Sequence, residues 1–415
     1  MLEEAIQSAR SDFDLTEKEH QRSVTALAEL LLTSGESAAE AILKASAPTA
    51  PLEARIAALL ADSRSWLLSD PDRTLHIGVI FAMWGEQNRL LPKSDDNETG
   101  EDSLVTKMEQ LEWATQDTAI NWQLYAVDDG CPHHSGSLAA SIAKEHRLGD
   151  KVTVLHLSHA LPAESGPLKN LASVDDSRKA GAVILGCIAA LEKGADAIIY
   201  TDADNSVHLG QLGLLLRPFV EDSAEVVLGD RKQAGSVLVK EGARWGIGIK
   251  VLRHMQRMIG KAIFSRGILD TQAAFKLYQA DLLEKILVDP TVFDFSFDTD
   301  WILGAISHQA TIAKVPFAFI DSAAESASIT QGPMTTWETL LFGLAKSVKR
   351  YGVADKDAAA MIEVLEEEIN GHPDLEVIID LLPEELTDAG ESDFGDPQVM
   401  SPEALQTWLR DVLGK

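Results

Sequence analysis

Residues 197–205 read Ala197-Ile198-Ile199-Tyr200-Thr201-Asp202-Ala203-Asp204-Asn205, a short apolar run that ends in two carboxylates. Comparable runs rich in β-branched residues recur along the chain, and helical patterns separate several of them. The runs cover residues 75–83, 123–127, 152–157, 197–200, 224–228 and 311–317. This alternation predicts an α/β fold, with a mostly parallel central sheet that helices cover on both faces.

A second apolar run also ends in paired acids, in the order Val127-Asp128-Asp129-Gly130. Ligands of parallel sheets bind beyond the carboxyl ends of the strands. Paired carboxylates there can hold Mg²⁺ or Mn²⁺, hard cations that prefer oxygen ligands and leave positions open for substrate phosphates. Alternatively, each pair consists of turn-forming acids that cap the next helix. Two such pairs at two strand ends favour the metal interpretation.

The composition argues against several classes of protein. The 415 residues include 65 acidic side chains against 36 Lys and Arg, so the formal net charge is −29. Such an acidic surface repels the phosphates of nucleic acids, and we expect no nucleic-acid partner. The two cysteines, Cys131 and Cys187, stand in no CxxC or Cys/His pattern, which excludes a zinc finger and a disulfide scaffold.

Helical patterns flank the predicted sheet on both sides. We predict an N-terminal helical extension over residues 1–70, the sheet domain over 71–350 and an acidic C-terminal helical extension over 351–415. The N-terminal helices offer a surface for pairing two chains, so a homo-oligomer is one expectation. The acidic stretch 92–102 is interpreted as a solvated surface insertion.

Two further patterns bear on location. The first 14 residues carry no apolar segment behind a basic start, and no run of 18 apolar residues occurs. We therefore expect no secretion signal, no integral membrane span and a cytoplasmic protein.

Several segments, taken in order, resemble the nucleotide-sugar glycosyltransferases of the family 2 type, which have the Rossmann-like GT-A fold. The resemblance extends over residues 75–350, and two of its segments, 269–278 and 295–300, look like motifs of the dolichyl- and polyprenyl-phosphate sugar transferases. The remaining segments are Asp-Asp-Gly at 128–130, Lys-Ala-Gly-Ala at 179–182, Asp-Ala-Asp at 202–204, the strand ending in Gly-Asp-Arg at 226–231 and Lys-Val-Pro-Phe at 314–317.

The resemblance implies a nucleotide-sugar site at the strand ends. It assigns Asp128 and Asp129 to the base and ribose, and it assigns Asp202 and Asp204 to a Mg²⁺ or Mn²⁺ ion, with Asp202 also on the sugar diphosphate. The other donor-binding residues that it implies are Glu86, Lys179 and Arg231. Glu86 is the remnant of an Asn-Glu pair that usually follows the first strand.

The implied activity is a metal-dependent transfer of a sugar from a UDP- or GDP-sugar to an acceptor that is not a nucleic acid, with inversion at the sugar carbon. Inverting transfer to a hydroxyl needs a general base. Asp300 and Asp270 are the two candidates for that base. An acceptor phosphate would already be ionised at pH 7, and neither residue would then have to remove a proton.

Two other interpretations remain open. The first is a retaining transferase that makes a sugar-glycerate or sugar-phosphoglycerate compound. The second is a non-catalytic protein on a degenerate GT-A fold, against which the intact Asp202 and Asp204 argue.

Overall fold

A computed structural model describes residues 2–34, 38–240, 246–322 and 333–415. The chain forms two compact units. Unit 1 comprises Met1–Glu241, Ala273–Pro290 and Ala310–Ala324, and unit 2 comprises Gly242–Gln272, Thr291–Gln309 and Glu325–Lys415. The boundaries expected near residues 70 and 350 remain predictions.

The strands lie in unit 1 and form one large and two small sheets. They are β1 (Leu75–Met83), β2 (Pro92–Ser94), β3 (Asn97–Glu101), β4 (Ile120–Asp128), β5 (Val152–His156), β6 (Ala197–Thr201), β7 (Val226–Gly229), β8 (Val237–Val239), β9 (Phe275–Gln279), β10 (Ile312–Val315) and β11 (Ala318–Ile320). The large sheet has seven strands in the order β10-β7-β9-β6-β1-β4-β5. Only β9 runs antiparallel to its neighbours in that sheet. The α/β prediction is therefore confirmed.

Helices cover the sheet and build unit 2. They are α1 (Leu2–Gln7), α2 (Lys18–Leu32), α3 (Ala38–Ala45), α4 (Leu52–Leu68), α5 (Gln87–Leu90), α6 (Ser103–Thr115), α7 (Ser135–Glu145), α8 (Leu157–Ala160), α9 (Ala180–Glu192), α10 (Leu212–Glu221), α11 (Ile249–Ile259), α12 (Lys261–Phe264), α13 (Ala280–Ile286), α14 (Phe297–Ser307), α15 (Pro333–Tyr351), α16 (Lys356–Glu368), α17 (His372–Ile378) and α18 (Pro402–Leu413). Within the described residues, no helix has the length and apolarity that crossing a membrane requires.

The N-terminal helices belong to unit 1 and pack there through a second apolar core. Apolar residues recur in α2 at helical spacing, at Val24, Leu27 and Leu31, and all three are buried. Their core also includes Leu60 of α4 and Ile320 of β11. The predicted helical character of the N-terminal segment is confirmed, and these helices share a core with β8 and β11, the two strands of a small sheet.

Unit 2 is helical. The aromatic rings of Phe297 and Trp301 on α14 lie 5.1 Å apart, nearly edge to face. A Cβ atom at Gly343 of α15 would lie 1.9 Å from the hydroxyl of Ser296, so glycine permits the close approach of α15 to the start of α14. The apolar spacing of the acidic segment predicts helices, and α16, α17 and α18 form there, within unit 2.

The register of the large sheet brings three strand ends to one edge. Met83 at the end of β1 pairs with Asp128 at the end of β4, and Ile80 pairs with Tyr200 near the end of β6. The acidic residues that follow these strands therefore share the carboxyl edge of unit 1, where parallel sheets bind ligands.

Candidate functional site

The acidic loop, residues 202–206, follows β6 directly. The side chains of Asp202 and Asp204 are half-buried. The Oδ1 atom of Asp204 accepts a hydrogen bond of 3.0 Å from the backbone N–H of Ser206, which turns the loop back on itself. Asp202 forms an ion pair with the ammonium group of Lys179, the residue before α9. The structure thus brings together three of the residues that the sequence assigns to the donor.

The charge state of Asp202 follows from its surroundings. Burial is the largest single effect and acts to raise the pKa of its carboxyl group, but the charge and the hydrogen bond of the adjacent Lys179 ammonium act in the opposite direction. The positive charges of Lys107 and Arg231 add to the effect of Lys179, and together these three residues outweigh burial. The pKa of Asp202 therefore lies below its usual range, and the carboxylate is ionised at neutral pH.

A buried lysine binds the backbone of the acidic loop. Lys107 on α6 is fully buried, and its ammonium group donates a hydrogen bond to the backbone carbonyl of Asp204. Burial lowers the pKa of Lys107, and the surrounding carboxylates oppose that shift. Sequence reasoning missed this residue. The available signal was its place one turn from Leu104 and Leu111, on the apolar face of α6.

Three further buried charges lie next to the acidic loop. Arg89 donates a hydrogen bond of 2.8 Å to the carboxylate of Glu86, and its Nε atom lies 3.6 Å from Glu101. Glu101 accepts hydrogen bonds from the backbone N–H of Asn205 at 2.7 Å and from the hydroxyl of Ser322 at 2.6 Å. Burial raises the pKa values of Glu86 and Glu101. Glu86 is thus part of an internal ion pair at this edge.

The interpretation of residues 92–102 as a solvated insertion is wrong at its end. This stretch forms the β2–β3 hairpin and buries Glu101 and Asp102. The physical reason is that Arg89 and the backbone of Asn205 give Glu101 partners that an acidic loop pattern does not reveal.

The Asp128–Asp129 pair organises the loops at the ends of two strands. Asp128 accepts hydrogen bonds from the backbone N–H groups of Cys131 at 2.9 Å and Gly136 at 2.8 Å. Asp129 accepts hydrogen bonds from the hydroxyl of Ser177 at 2.5 Å and the backbone N–H of Lys179 at 2.7 Å. Burial raises the pKa of Asp129 to about 6, although these hydrogen bonds favour its ionised form.

Arg231 and Trp84 lie just beyond two strand ends of the large sheet, and each contacts an aromatic ring. The guanidinium carbon of Arg231, just beyond β7, lies 5.0 Å from the ring centre of Phe319. Trp84, just beyond β1, is 42% exposed and makes an edge-to-face contact with His133 at 6.3 Å. Sequence reasoning gave Trp84 no role. An exposed indole ring offers a flat surface on which a planar ligand can stack.

The two candidates for the general base belong to unit 2. Asp300 on α14 is 1% exposed, and its carboxylate accepts a hydrogen bond of 2.8 Å from Arg350 of α15. Burial raises the pKa of Asp300, while the charge of Arg350 opposes that shift. Asp270 is also buried and lies just before the chain returns to unit 1. The structure therefore does not place either residue in the unit that holds the acidic loop.

The oxygen atoms of the acidic loop suit a divalent cation. Across the described residues, no group of three or more His, Cys, Asp or Glu side chains is arranged to hold a metal ion. Asp202 and Asp204 supply two carboxylates, and the side-chain oxygens of Asn205 and Ser206 are buried without a hydrogen-bond partner. Mg²⁺ commonly binds to one or two carboxylates and completes its coordination with substrate phosphates and water. The donor set therefore fits Mg²⁺ or Mn²⁺.

We predict that Lys107→Met destabilises the protein, because the carboxylates around it lose a buried counter-charge. The free energy of unfolding should fall by about 3–5 kcal/mol at pH 7, measured by urea denaturation. Lys151→Met is the matched control, since the Lys151 ammonium pairs with Glu112 at 2.8 Å but is 43% exposed. The control should lose no more than about 1 kcal/mol. Equal losses in the two variants would show that the buried charge has no special role.

We also predict a pH-dependent effect of Asp129→Asn. The folded protein holds the Asp129 proton more tightly than the unfolded chain, so this residue stabilises the protein most below pH 4. That stabilisation disappears as the pH rises from about 4 to about 6. The free energy of unfolding of the variant, relative to the unmodified protein, should therefore rise by about 2 kcal/mol between pH 4 and pH 7.

Chemical denaturation at several pH values measures this difference. Asp72→Asn removes an exposed carboxyl group and serves as the control. A difference between Asp129→Asn and the unmodified protein that stays constant across this pH range would contradict the assignment.

Comparison with known proteins finds a relative with a known class of activity. No protein-family model matches the chain. An undecaprenyl-phosphate mannosyltransferase of Micrococcus luteus is 25% identical over 207 residues, which cover 50% of this chain and 75% of that protein.

Solved structures with a related arrangement are more distant. Glucosyl-3-phosphoglycerate synthase from Mycobacterium tuberculosis in complex with phosphoglyceric acid has a TM-score of 0.46 at 13% identity, over 72% of this chain and 86% of that chain. The same enzyme with Mn²⁺, uridine diphosphate and phosphoglyceric acid has a TM-score of 0.45 at 13% identity, over 72% of this chain and 84% of that chain.

The sequence relative and the architecture of the large sheet agree with the interpretation of the motifs. The mannosyltransferase supports the predicted class of protein, a glycosyltransferase, and unit 1 has the mostly parallel, helix-flanked sheet that the class implies. The chain is thus similar to nucleotide-sugar glycosyltransferases of the family 2 type with a GT-A fold.

Proposed function

We propose that this protein is a metal-dependent glycosyltransferase that moves a sugar from a UDP- or GDP-sugar to an acceptor that is not a nucleic acid, with inversion. One observation carries the proposal: the half-buried carboxylates of Asp202 and Asp204 lie at the carboxyl edge of a parallel sheet, beside the cations of Lys179 and Lys107. Carboxylates and cations in one place suit a metal-bound diphosphate, which carries both signs of charge.

The chemistry of donor cleavage explains why both kinds of residue are present. Breaking the sugar–phosphate bond leaves a nucleoside diphosphate with growing negative charge. A divalent cation on Asp202 and Asp204 would supply Lewis-acid stabilisation of that charge. Arg231 and Lys179 would hold the phosphate oxygens directly, since a guanidinium or ammonium group forms strong charge-assisted hydrogen bonds with them.

Glu86, Asp128 and Asp129 would shape the pocket for the base and ribose. The Asp128 and Asp129 carboxylates each accept two hydrogen bonds from the protein, and each carboxylate has about four acceptor positions. Both groups therefore retain acceptor positions for a base N–H or a ribose hydroxyl. The Glu86–Arg89 pair would fix the loop after β1.

The acceptor is the less constrained half of the proposal. The name of the mannosyltransferase relative gives its acceptor as undecaprenyl phosphate. A phosphoglycerate acceptor would need cations that are not already paired. The basic residues closest in sequence to the segment after the Lys-Val-Pro-Phe motif are three side chains near the end of α15. All three have partners within unit 2: Lys346 binds the carbonyl of Thr291, Lys349 binds Glu366 and Arg350 binds Asp300. The alternative of a sugar-phosphoglycerate product therefore gains no support from these residues.

For the general base, Asp300 and Asp270 are the two candidates, and both carboxyl groups are buried. Asn at the residue that acts as the base should leave donor binding normal and lower the rate of transfer to a hydroxyl by about 10²-fold or more. Asn at the other residue should lower the melting temperature while the folded fraction keeps its rate. Donor turnover and thermal unfolding of Asp300→Asn and Asp270→Asn assign the role, and full transfer rates in both variants would contradict the assignment of the base to either residue.

Donor binding tests the function itself. UDP, GDP and their glucose and mannose conjugates are screened by thermal shift, each with and without Mn²⁺. A ligand at 100 times its dissociation constant stabilises a protein by about 2.7 kcal/mol, which such a screen detects readily. We expect a shift with one of the two nucleotides, and we expect it to require the metal.

Asp204→Ala should lose that metal-dependent shift because it removes one of the two carboxylates. Asp150→Ala, which removes an exposed carboxyl group, is the control and should retain the shift. A full metal-dependent shift in Asp204→Ala would contradict the assignment. The lack of any shift in the unmodified protein would favour a non-catalytic protein on the same fold.

A further inference from the structure

Lys179 connects the two acid pairs at the carboxyl edge of unit 1. Its backbone N–H donates a hydrogen bond of 2.7 Å to Asp129, and its ammonium group pairs with Asp202. We infer that Lys179 is an exchangeable counter-ion: its ammonium neutralises Asp202 in the metal-free protein and moves to the donor diphosphate when the metal binds. This inference rests on the proposed function.

The backbone at Lys179 is fixed while the side chain can move. Its backbone angles, φ +80° and ψ −48°, are unfavourable for a residue with a side chain. Asp129 holds the backbone N–H, and Ser177 links Asp129 to the backbone N–H of Gly181 in the first turn of α9. By contrast, the Lys179 side chain is 29% exposed, on a flexible four-carbon stem.

Electrostatics favours the exchange. A divalent cation on Asp202 would meet the positive charge of the ammonium at hydrogen-bond distance, and two cations that close repel each other. Binding of the metal to Asp202 therefore favours release of the ammonium. A diphosphate on the same metal gives the displaced ammonium a new anionic partner within the same site.

One consequence is that metal and nucleotide bind with positive coupling. Metal alone must displace the ammonium from Asp202 while no diphosphate is present to receive it. Nucleotide alone meets two acidic side chains, and the ammonium is still paired with Asp202. When both bind, the displaced ammonium pairs with the diphosphate, and the metal neutralises the two carboxylates. By linkage, the factor by which Mn²⁺ improves the affinity for UDP or GDP equals the factor by which the nucleotide improves the affinity for Mn²⁺.

The test measures Mn²⁺ binding without turnover. The electron paramagnetic resonance signal of free Mn²⁺ gives its dissociation constant with and without a saturating nucleotide, UDP or GDP, whichever the thermal-shift screen selects. Lys179→Met should bind Mn²⁺ alone roughly threefold to tenfold more tightly than the unmodified protein. In saturating Mn²⁺ the same variant should bind the nucleotide roughly tenfold more weakly. A lower dissociation constant for Mn²⁺ together with a higher dissociation constant for the nucleotide is the result expected of an exchanged counter-ion.

Two further variants complete the design. Lys179→Gly also lacks the ammonium and suits the positive φ, so it guards against a folding defect in Lys179→Met. Lys151→Met makes the same change at an ion pair with Glu112, and it should alter neither constant.

The outcomes separate this inference from the proposed function. In one outcome, the unmodified protein binds the nucleotide only with Mn²⁺, but both Lys179 variants bind Mn²⁺ alone equally well or more weakly than the unmodified protein. This outcome would overturn the exchange and leave the proposed function standing. No nucleotide binding in the unmodified protein would overturn the function and the exchange together. Tighter Mn²⁺ binding with weaker nucleotide binding in both variants supports the exchange.

Discussion

The hydrogen bond from the buried ammonium of Lys107 to the carbonyl of Asp204 is the interaction on which the candidate site depends. Glu86, Glu101, Asp202 and Asp204 all contribute negative charge around that ammonium. Carboxylates gathered at one edge of a sheet repel one another strongly unless a cation is placed among them. The buried Lys107 supplies that charge from the protein interior, so the solvent-exposed side of the loop stays open to a ligand.

Charges in this region are arranged in two layers. The inner layer, of Lys107, Arg89, Glu86 and Glu101, is buried and fixed by hydrogen bonds. The outer layer contains Lys179 and Asp202, which are partly exposed. A buried charge network costs desolvation energy and is rarely retained for stability alone. Here the inner layer holds the outer acids at the place where a ligand can reach them.

Periodicity and strand-end chemistry predicted the fold and the acid pairs. The run Ala197–Thr201 is buried along its whole length, and such a run can be recognised from its β-branched residues. The positions of Asp202 and Asp204 then follow, because carboxyl ends of parallel strands meet at one edge. The residues 128–129 were found in the same way, although the loops that their carboxylates organise depend on Cys131, Gly136 and Ser177.

Long-range partners could not be predicted in this way. The Glu101 carboxylate binds the backbone of Asn205, which lies 104 residues later, and an acidic segment with such a partner looks like any solvated loop. Similarly, Arg350 pairs with Asp300 across 50 residues and two helices. Lysine at position 107 was overlooked because most helical lysines are exposed. Each of these residues owes its role to tertiary contacts that no local pattern records.

Donor cleavage tests the central claim most directly. The protein is incubated with UDP-glucose or GDP-mannose, with Mn²⁺ or with a chelator, so that water takes the place of the acceptor and hydrolysis yields free sugar and nucleoside diphosphate, which is quantified. The account predicts release from at least one donor only when Mn²⁺ is present, and loss of that release in Asp202→Asn. Release that is equally fast in the chelator, or unchanged in Asp202→Asn, would contradict it.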